Sequence, residues 1–325
     1  MLCLGIESTA HTFGIGIIDE EYNILANERY TYVPKPGFGI IPKEAAKELE
    51  NNAENVFNKA LEKAKIKMSE IDAIAYSKGP GMPLSLKVGA NFAKMLYENI
   101  KKNVYEVNHC VAHVEIGMLT TKLKDPVILY VSGGNTQVIA FVEKRYRCFG
   151  ETLDIAIGNA LDMFARKANL AHPGGPKIEE LAKNGKYVEL PYVVKGMDFS
   201  FTGIVTAAIK KLQQGIKLED LCFSLQETCF AMLTEVTERA LVHIGKNEVL
   251  LTGGVAANKR LQEMLKIMCE ERNAKFAVVE KEYAGDNGAM IALVGMLMHK
   301  SKCEPTKTFD IEPKWRIEQV EIKWK

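Results

Sequence analysis

Residues 127–136 read Val-Ile-Leu-Tyr-Val-Ser-Gly-Gly-Asn-Thr, an apolar run that ends in a turn of small and polar residues. An apolar run bounded by glycines is typical of a buried strand. The apolar pattern resumes at residues 138–142, so we predict two strands joined by a hydroxyl-bearing turn. The chain opens in the same way, with strands at residues 2–6 and 13–18 around the polar turn 7–12. This hairpin therefore occurs twice.

A second pattern is also duplicated. A strand at residues 72–77, the glycine turn 78–83 and a helix at about 84–99 are matched by a strand at 248–252, the turn 253–258 and a helix to about 269. These copies predict an α/β fold with two lobes that each resemble ribonuclease H, as in the actin, Hsp70 and sugar-kinase (ASKHA) superfamily.

The lobes are assigned along the chain as follows. We expect residues 1–125, completed by the tail 298–325, to form the N-terminal lobe. Residues 126–297 are expected to form the C-terminal lobe, with a helical insertion at about 150–214. Within the first lobe we predict a loop at 34–39 and a long helix from Pro42 to about residue 65.

Composition describes a globular protein. The chain has 325 residues, 47% of them apolar and 26% charged, and a net charge of +1. No overall positive charge indicates nucleic-acid binding, so any RNA contact must use a local patch or a partner's surface. Seven cysteines occur without a Cys-x-x-Cys pair, which favours a reducing compartment. With neither a signal-like N-terminus nor a bilayer-long apolar run, we expect a cytoplasmic protein without membrane contact.

Four side chains from separate places form a candidate metal set. His109 and His113 are four residues apart, which puts both imidazoles on one helix face. Tyr130 ends the strand of the second hairpin, and Asp286 lies at a glycine-flanked helix start. Two nitrogens and two oxygens suit iron, zinc or manganese better than calcium. The alternative is that the histidines are ordinary core or surface residues. A His-Glu-x-x-His peptidase is disfavoured, because Cys110 stands where the glutamate would be.

Phosphate-type turns precede and follow this set. The turn after the first strand carries Glu7 and several hydroxyls, and Lys87 lies in the first turn of the helix that follows residues 78–83. Such turns hold anions through backbone N–H groups, although a plain tight hairpin is the alternative. In the insertion, Asp154, Gly158 and Asp162 recur every fourth residue, so we expect them on one helix face.

The chain resembles the universal tRNA threonylcarbamoyladenosine (t6A) synthesis family, the TsaD or Gcp family. The resemblance covers nearly the whole chain, in order, and rests on residues 5–12 (GIESTAHT), 78–81 (KGPG), 108–113 (NHCVAH), 130–136 (YVSGGNT), 195–203 (KGMDFSFTG), 253–258 (GGVAAN) and 285–288 (GDNG). The run from residue 195 looks like the archaeal and eukaryotic branch, the catalytic subunit of the KEOPS complex. One departure is Lys47-Glu48-Leu49, where relatives often have a histidine pair.

The resemblance implies an acyltransferase that moves a threonylcarbamoyl group from threonylcarbamoyl-adenylate to N6 of the adenosine 3′ of the anticodon, in tRNAs reading codons that start with adenine. It implies that one metal ion, iron or else zinc, is held by His109, His113, Tyr130 and Asp286. Mg²⁺ can accompany the adenine nucleotide. The substrate and nucleotide residues it implies are Tyr130, Val131, Ser132, Gly133, Gly134, Asp162, Gly175, Glu179, Gly254 and Asn258, with Glu7 and Lys87 as candidates on the phosphate side.

The expected partners are tRNA and KEOPS-type subunits. These include a small protein kinase or ATPase, which some relatives carry in the same chain, and a small dimerising subunit. No nucleophile with a base partner is evident, so we expect direct transfer without a covalent enzyme intermediate. An ASKHA kinase would share the fold but would not need the metal set, and a noncatalytic ATP-dependent scaffold would bind nucleotide yet show no transfer.

Overall fold

The computed structural model describes residues 1–34 and 39–325, so residues 35–38 of the predicted loop 34–39 lie outside the described residues. The strands are β1 (Leu2–Glu7), β2 (Thr12–Asp19), β3 (Ile24–Thr31), β4 (Ala73–Gly79), β5 (Asn103–Asn108), β6 (Val127–Val131), β7 (Thr136–Val142), β8 (Arg145–Glu151), β9 (Val194–Lys195), β10 (Asp198–Phe199), β11 (Glu248–Thr252) and β12 (Lys275–Val278). The helices are α1 (Pro42–Ala64), α2 (Pro83–Ile100), α3 (His109–Thr121), α4 (Ile157–Lys167), α5 (Gly174–Ala182), α6 (Thr202–Gln213), α7 (Leu218–Ile244), α8 (Lys259–Glu271), α9 (Lys281–Ala284) and α10 (Gly288–Lys300). Among the described residues, no helix combines the length and the apolar character needed to cross a bilayer.

The chain divides into two compact units. The first contains residues 1–116, 143–146 and 285–325, and the second contains residues 117–142 and 147–284. These limits differ from the lobe boundaries expected from the sequence, 1–125 with 298–325 and 126–297. Residues 285–297 lie with the first unit because α10 packs on β1 and β2 of its sheet.

The first unit is built on a five-stranded sheet with the order β3-β2-β1-β4-β5. Strand β1 pairs antiparallel with β2 and parallel with β4, and β4 pairs parallel with β5. One side of the sheet carries an apolar core with α1 and α2, in which Phe13, Phe57 and Phe92 pack edge to face. Glu7 is the last residue of β1 and pairs with Gly14, which in turn pairs with Arg29 on β3.

The second unit repeats this sheet. Its order is β8-β7-β6-β11-β12, with β6 antiparallel to β7 and parallel to β11, and β11 parallel to β12. Counted along the chain, both sheets have the third, second, first, fourth and fifth strand side by side. The predicted duplication of a hairpin and of a strand, glycine turn and helix is therefore confirmed.

The expected insertion contains α4, α5, α6 and the short ribbon of β9 and β10. The expectation that Asp154, Gly158 and Asp162 share a helix face is wrong, since α4 begins only at Ile157. The Asp154 carboxylate accepts hydrogen bonds from the backbone N–H groups of Ile155 (2.7 Å) and Phe201 (2.9 Å). A short carboxylate that bonds to nearby backbone in this way favours a turn over a helix.

Helix α10 lies directly against the backbone of the first sheet. A Cβ atom added to Gly5 would be 2.1 Å from the Ala292 nitrogen, and one added to Gly16 would be 2.1 Å from the Ala289 nitrogen. Both positions therefore need glycine because helix and strand backbones meet without a side chain between them. This close approach fixes the start of α10 at Gly288, two residues after Asp286.

The segment Lys47-Glu48-Leu49 has a structural role in α1. Leu49 is buried in the core, Lys47 is exposed, and the Glu48 carboxylate accepts a hydrogen bond from the Tyr30 hydroxyl at 3.2 Å. This turn of α1 packs in the core through Leu49 and bonds to β3 through Glu48. These contacts explain why an apolar and an acidic residue occupy these positions.

Candidate functional site

The two predicted histidines lie on the first turns of α3. Helix α3 begins at His109 because the Asn108 side chain caps it, accepting hydrogen bonds from the N–H groups of Cys110 (3.0 Å) and Val111 (3.2 Å). The ring centroids of His109 and His113 are 4.6 Å apart, and both residues are buried. The four-residue spacing therefore brings both imidazoles to one place, as predicted.

Asp286 joins the histidines from the opposite end of the chain. Its Oδ1 lies 3.4 Å from Nε2 of His113 and 3.5 Å from Nε2 of His109. The N-cap of α10 is Asn287, whose Oδ1 accepts from the Met290 N–H at 3.0 Å, so the Asp286 carboxylate is not consumed as a cap. The backbone carbonyl of Asp286 accepts from the Arg29 guanidinium at 3.3 Å.

Glu7 supports this cluster, which the sequence interpretation did not foresee. Its carboxylate is completely buried, and Oε2 lies 3.0 Å from Nδ1 of His109. Oε1 accepts from the Thr9 N–H at 2.8 Å, and also from the Thr9 hydroxyl, which lies 3.2 Å from the same His109 nitrogen. The one signal in the sequence was a glutamate at the end of an apolar strand, because an acid that becomes buried there needs a polar partner.

Opposed electrostatic effects act on the side chains of this cluster. Burial disfavours the imidazolium form of His109, yet the carboxylates of Glu7 and Asp286 outweigh it and raise the pKa of His109 to about 9. For His113, burial and the nearby charge of His109 exceed the effect of Asp286 and lower its pKa. Burial opposes ionisation of Asp286, but the two histidines hold its pKa well below the usual range.

The donor set fits a metal ion. His109, His113 and Asp286 each offer one ligand atom, and these atoms lie within 4.8 Å of one another. Two imidazole nitrogens and one carboxylate oxygen suit zinc or iron, and a carboxylate on the outer nitrogen of a ligating histidine fixes its tautomer. Tyr130, the fourth predicted ligand, is buried at the end of β6 in the second unit, and its role as a ligand stays a prediction.

The predicted phosphate turn follows β6 in the second unit. The Ser132 hydroxyl accepts hydrogen bonds from the N–H groups of Gly134 (3.3 Å) and Asn135 (2.9 Å), which closes the turn after Val131. Gly133 and Gly134 are exposed, and a side chain at Gly134 would meet nothing within 4 Å. The backbone of this turn is therefore open to a ligand.

Two further glycines pack around this turn. A Cβ at Gly158 would be 2.7 Å from the Ser132 carbonyl oxygen, and one at Gly253, where φ is +95°, would be 2.3 Å from the Val131 carbonyl oxygen. Gly254 faces open space. The two glycine motifs thus meet within one unit.

Three of the predicted nucleotide residues accept hydrogen bonds from backbone N–H groups at the N-termini of helices. Asp162 Oδ1 accepts from the Gly174 N–H (2.6 Å), ahead of the half-buried Gly175, and Glu179 Oε1 accepts from the Lys259 N–H (2.6 Å). Asn258 caps α8 through the Arg260 N–H (2.9 Å) and donates to Gln226 Oε1 (2.9 Å). Each carboxylate uses one oxygen for this contact, and the other oxygen of Asp162, Oδ2, lies 3.5 Å from Nδ1 of the exposed His172. Glu179 and Asn258 thus both contact the start of α8 within the second unit.

The two phosphate-side candidates have separate surroundings. Glu7 contacts His109, as described above, and is fully buried. Lys87 is exposed near the start of α2. A phosphate role for either residue stays a prediction.

Sequence comparison gives strong matches. A family model described as tRNA N6-adenosine threonylcarbamoyltransferase matches residues 23–293. A protein of that name from Archaeoglobus fulgidus is 56% identical over the full length of both chains. A "probable bifunctional tRNA threonylcarbamoyladenosine biosynthesis protein" from Methanocaldococcus jannaschii is 55% identical, and this chain spans 60% of its length.

Structural comparison supports the fold alone. HypF from T. kodakarensis matches with a TM-score of 0.63 at 14% identity, covering 92% of this chain and 48% of that one. The activator of 2-hydroxyisocaproyl-CoA dehydratase from Clostridium difficile, solved with bound ADPNP, matches with a TM-score of 0.55 at 13% identity, covering 93% and 97%. These neighbours and the two equivalent sheets confirm the predicted ASKHA-type α/β fold.

Proposed function

Since this chain belongs to the tRNA N6-adenosine threonylcarbamoyltransferase family of acyltransferases, we propose that it transfers a threonylcarbamoyl group from threonylcarbamoyl-adenylate to N6 of the adenosine 3′ of the anticodon. The single observation that supports this reaction in the molecule is the cluster of two buried histidines, His109 and His113, with the half-buried Asp286. An electrophile-activating ion there separates an acyltransferase from a kinase or a scaffold of the same fold. Some relatives are longer than this chain, so the activity of the whole natural protein is part of the proposal.

The cluster would hold one metal ion, iron or zinc, with Tyr130 proposed as a further ligand. When bound, a metal at such a site polarises a carbonyl group as a Lewis acid. Glu7 orients one of the histidine ligands of this site. Glu7 Oε2 accepts a hydrogen bond from the Nδ1–H of His109, so once His109 releases its Nε2 proton the Nε2 lone pair would face Asp286 and His113.

The nucleotide part of the substrate is proposed to bind the second unit. The open turn of Ser132, Gly133 and Gly134, next to Tyr130 and Val131, would take the phosphate, with Glu7, Lys87 and Mg²⁺ as further candidates on that side. Asp162 and Glu179 would accept ribose hydroxyls through the oxygens they do not use as caps, while Gly175, Gly254 and Asn258 would line the nucleoside.

The transfer needs no covalent enzyme intermediate. The adenosine amine attacks the carbamoyl carbon, the bond from that carbon to the phosphate oxygen breaks, AMP leaves with the electron pair, and the amine gives up one proton. Four of the seven cysteines are disfavoured as nucleophiles, because burial raises the pKa of Cys222 to about 12 and that of Cys269 to about 11, and it raises those of Cys3 and Cys229 further. Catalysis then depends on positioning and electrophile activation.

The partners proposed are tRNA and KEOPS-type subunits in the cytoplasm. The names of several relatives describe bifunctional proteins, and these relatives are longer than this chain. A kinase or ATPase partner, fused or separate, and a small dimerising subunit are therefore proposed to complete the complex. A near-neutral net charge of +1 is consistent with partners supplying part of the RNA contact.

The decisive experiment measures t6A in tRNA nucleosides by mass spectrometry after incubation with threonylcarbamoyl-adenylate, tRNA and the partner subunits. His109→Ala and Asp286→Ala should lose bound metal and product together, while His243→Ala, at an exposed histidine of the second unit, should keep both. Product formed by a metal-free His109→Ala protein would refute the mechanism. ATP-dependent phosphorylation of a small substrate without t6A would favour the kinase, and nucleotide binding without any transfer would favour the scaffold.

The identity of the metal has its own test. A ferric ion bound by the Tyr130 phenolate should give the protein a visible colour that Tyr130→Phe removes. A colourless protein with zinc bound would contradict iron and leave the three-residue cluster in place.

A further inference from the structure

The C-terminal residues 304–325, named here the C-terminal strap, run along the β5 side of the first sheet, from the start of β5 to the end of β4. Backbone hydrogen bonds attach the strap to this sheet, from the Thr306 N–H to the Val104 carbonyl (2.8 Å) and from the Glu312 N–H to the Lys78 carbonyl (2.8 Å). A Cβ at Gly79 would be 1.9 Å from the Glu312 carbonyl oxygen, so sheet and strap are in direct backbone contact. The strap therefore has a defined course next to α3.

The strap reaches the first turn of α3 through Asn108. The Asn108 side-chain N–H₂ donates to the Trp315 carbonyl at 3.0 Å, while its Oδ1 caps the helix that begins at His109. Because the two ends of an amide are fixed relative to each other, the Trp315 carbonyl sets which way the capping oxygen faces. The strap thus controls the cap directly before the first histidine.

A second contact lies two residues beyond His113. The Glu115 carboxylate is buried, and it accepts hydrogen bonds from the Tyr146 hydroxyl (2.6 Å) and from the indole N–H of Trp324 (3.0 Å). The Lys325 ammonium lies 3.5 Å from the same oxygen. A buried carboxylate is costly without such donors, so α3 and the end of the strap are tied together at this point.

The strap does not pack on α3 and α10 along its whole length. A cavity of about 430 Å³ separates part of it from α3 and α10, with Asn108, Val111 and Met298 on one wall and Trp315, Lys323 and Trp324 on the other. Where dense packing is missing, the polar contacts at Asn108 and Glu115 carry more of the positional restraint.

We propose that the C-terminal strap positions the helix that carries His109 and His113, with Trp324 and Glu115 as positioning residues. The two contacts bracket both histidines, one residue before the first and two residues after the second. Because α3 is held at both points, its two imidazoles keep their position relative to Asp286, which precedes α10. The restraint on α3 does not depend on a metal. Only its expected effect on metal affinity rests on the proposed metal site.

The test compares Trp324→Phe with Trp315→Phe. The first variant keeps an aromatic ring but loses the N–H group that donates a hydrogen bond to Glu115. Trp315, by contrast, accepts the hydrogen bond of Asn108 through its backbone carbonyl, which phenylalanine retains. Hydrogen exchange of the backbone amides of residues 113–118 is measured in the metal-free proteins, followed by Co²⁺ affinity and the Co²⁺ visible spectrum. We expect Trp324→Phe to exchange faster, to bind Co²⁺ about 10-fold more weakly and to show shifted Co²⁺ bands.

The outcomes are separable. The proposal is wrong if Trp324→Phe matches the unaltered protein in exchange and in Co²⁺ affinity, or if Trp315→Phe changes both equally, since the effect would then come from lost indole packing. If the unaltered protein binds no Co²⁺, the proposed metal site fails, while the exchange comparison still tests the strap. Should Trp324→Phe not fold, Glu115→Gln, which keeps the accepting oxygen, should retain slow exchange and Glu115→Ala should lose it.

Discussion

Oε2 of Glu7 lies 3.0 Å from Nδ1 of His109, a residue 102 positions further along the chain. The carboxylate is fully buried at the end of β1, so the contact is shielded from solvent. A carboxylate on the outer nitrogen of a ligating histidine orients the ring and raises its basicity. The contact makes Glu7 a support for the proposed metal site, in addition to the phosphate-side role suggested by its place next to a turn.

Metal affinity should depend on pH through His109. Its pKa of about 9 means that the imidazole is protonated in the metal-free protein at neutral pH, so metal binding must release that proton. Affinity should therefore rise about tenfold per pH unit from 6.5 to 8.5 and level off above about 9. Chelator-buffered titrations with zinc at several pH values measure this slope.

Glu7→Gln should weaken and flatten this dependence. Without the carboxylate, burial lowers the pKa of His109, so less proton release accompanies binding, and the loss of orientation should cost about 10- to 100-fold in affinity. Glu48→Gln, which removes a carboxylate from α1 in the same unit, is the matched control and should leave the slope unchanged. A flat profile in the unaltered protein would contradict the role given to Glu7.

Gly5→Ala should destabilise the protein strongly. The new Cβ would lie 2.1 Å from the Ala292 nitrogen, and neither backbone can move without disturbing the sheet or α10. We expect a loss of about 3 kcal/mol or more in the free energy of unfolding, measured by chemical denaturation. Gly203→Ala in α6, where nothing lies within 4 Å, should be neutral or stabilising by up to about 1 kcal/mol. Equal effects of the two substitutions would refute the close-packing argument.

Asp162→Asn should separate capping from nucleotide binding. Asparagine keeps an oxygen for the Gly174 N–H, so α5 should stay in place, but the second carboxylate oxygen becomes a donor. AMP affinity, measured by calorimetry, should fall about 10-fold or more, with thermal stability nearly unchanged. Asp162→Ala should lose both. AMP binding that survives in Asp162→Asn would exclude a ribose contact at this residue.

Glu48→Ala tests whether α1 takes part in metal binding. The Glu48 carboxylate contacts Tyr30, so its removal should cost about 1 kcal/mol in the free energy of unfolding. Metal affinity should stay as in the unaltered protein, because Glu48 faces β3 and the core beneath it. A drop in metal affinity would show that this helix turn acts on the cluster, as the histidine pair expected in relatives would suggest.

The local sequence pattern was enough to predict most strands and helices. The alternation and apolar runs predicted both hairpins, and the spacing of His109 and His113 predicted a shared helix face, because each depends only on backbone periodicity. Asp154 was misplaced because a short carboxylate can bond to neighbouring backbone and end a helix pattern, which spacing does not reveal.

The amino-acid order by itself determined the duplicated α/β architecture and the chemistry available to it, since strand and helix periods are local properties. Only the tertiary structure decided that Asp286 lies 3.4 Å from His113, 173 positions away, that Glu7 contacts His109, and that Asp162 and Glu179 accept hydrogen bonds from the first N–H groups of α5 and α8. These contacts arise where glycines let α10 touch the first sheet and where buried polar groups must find partners. Both depend on residues that are distant in sequence, so no local pattern encodes them.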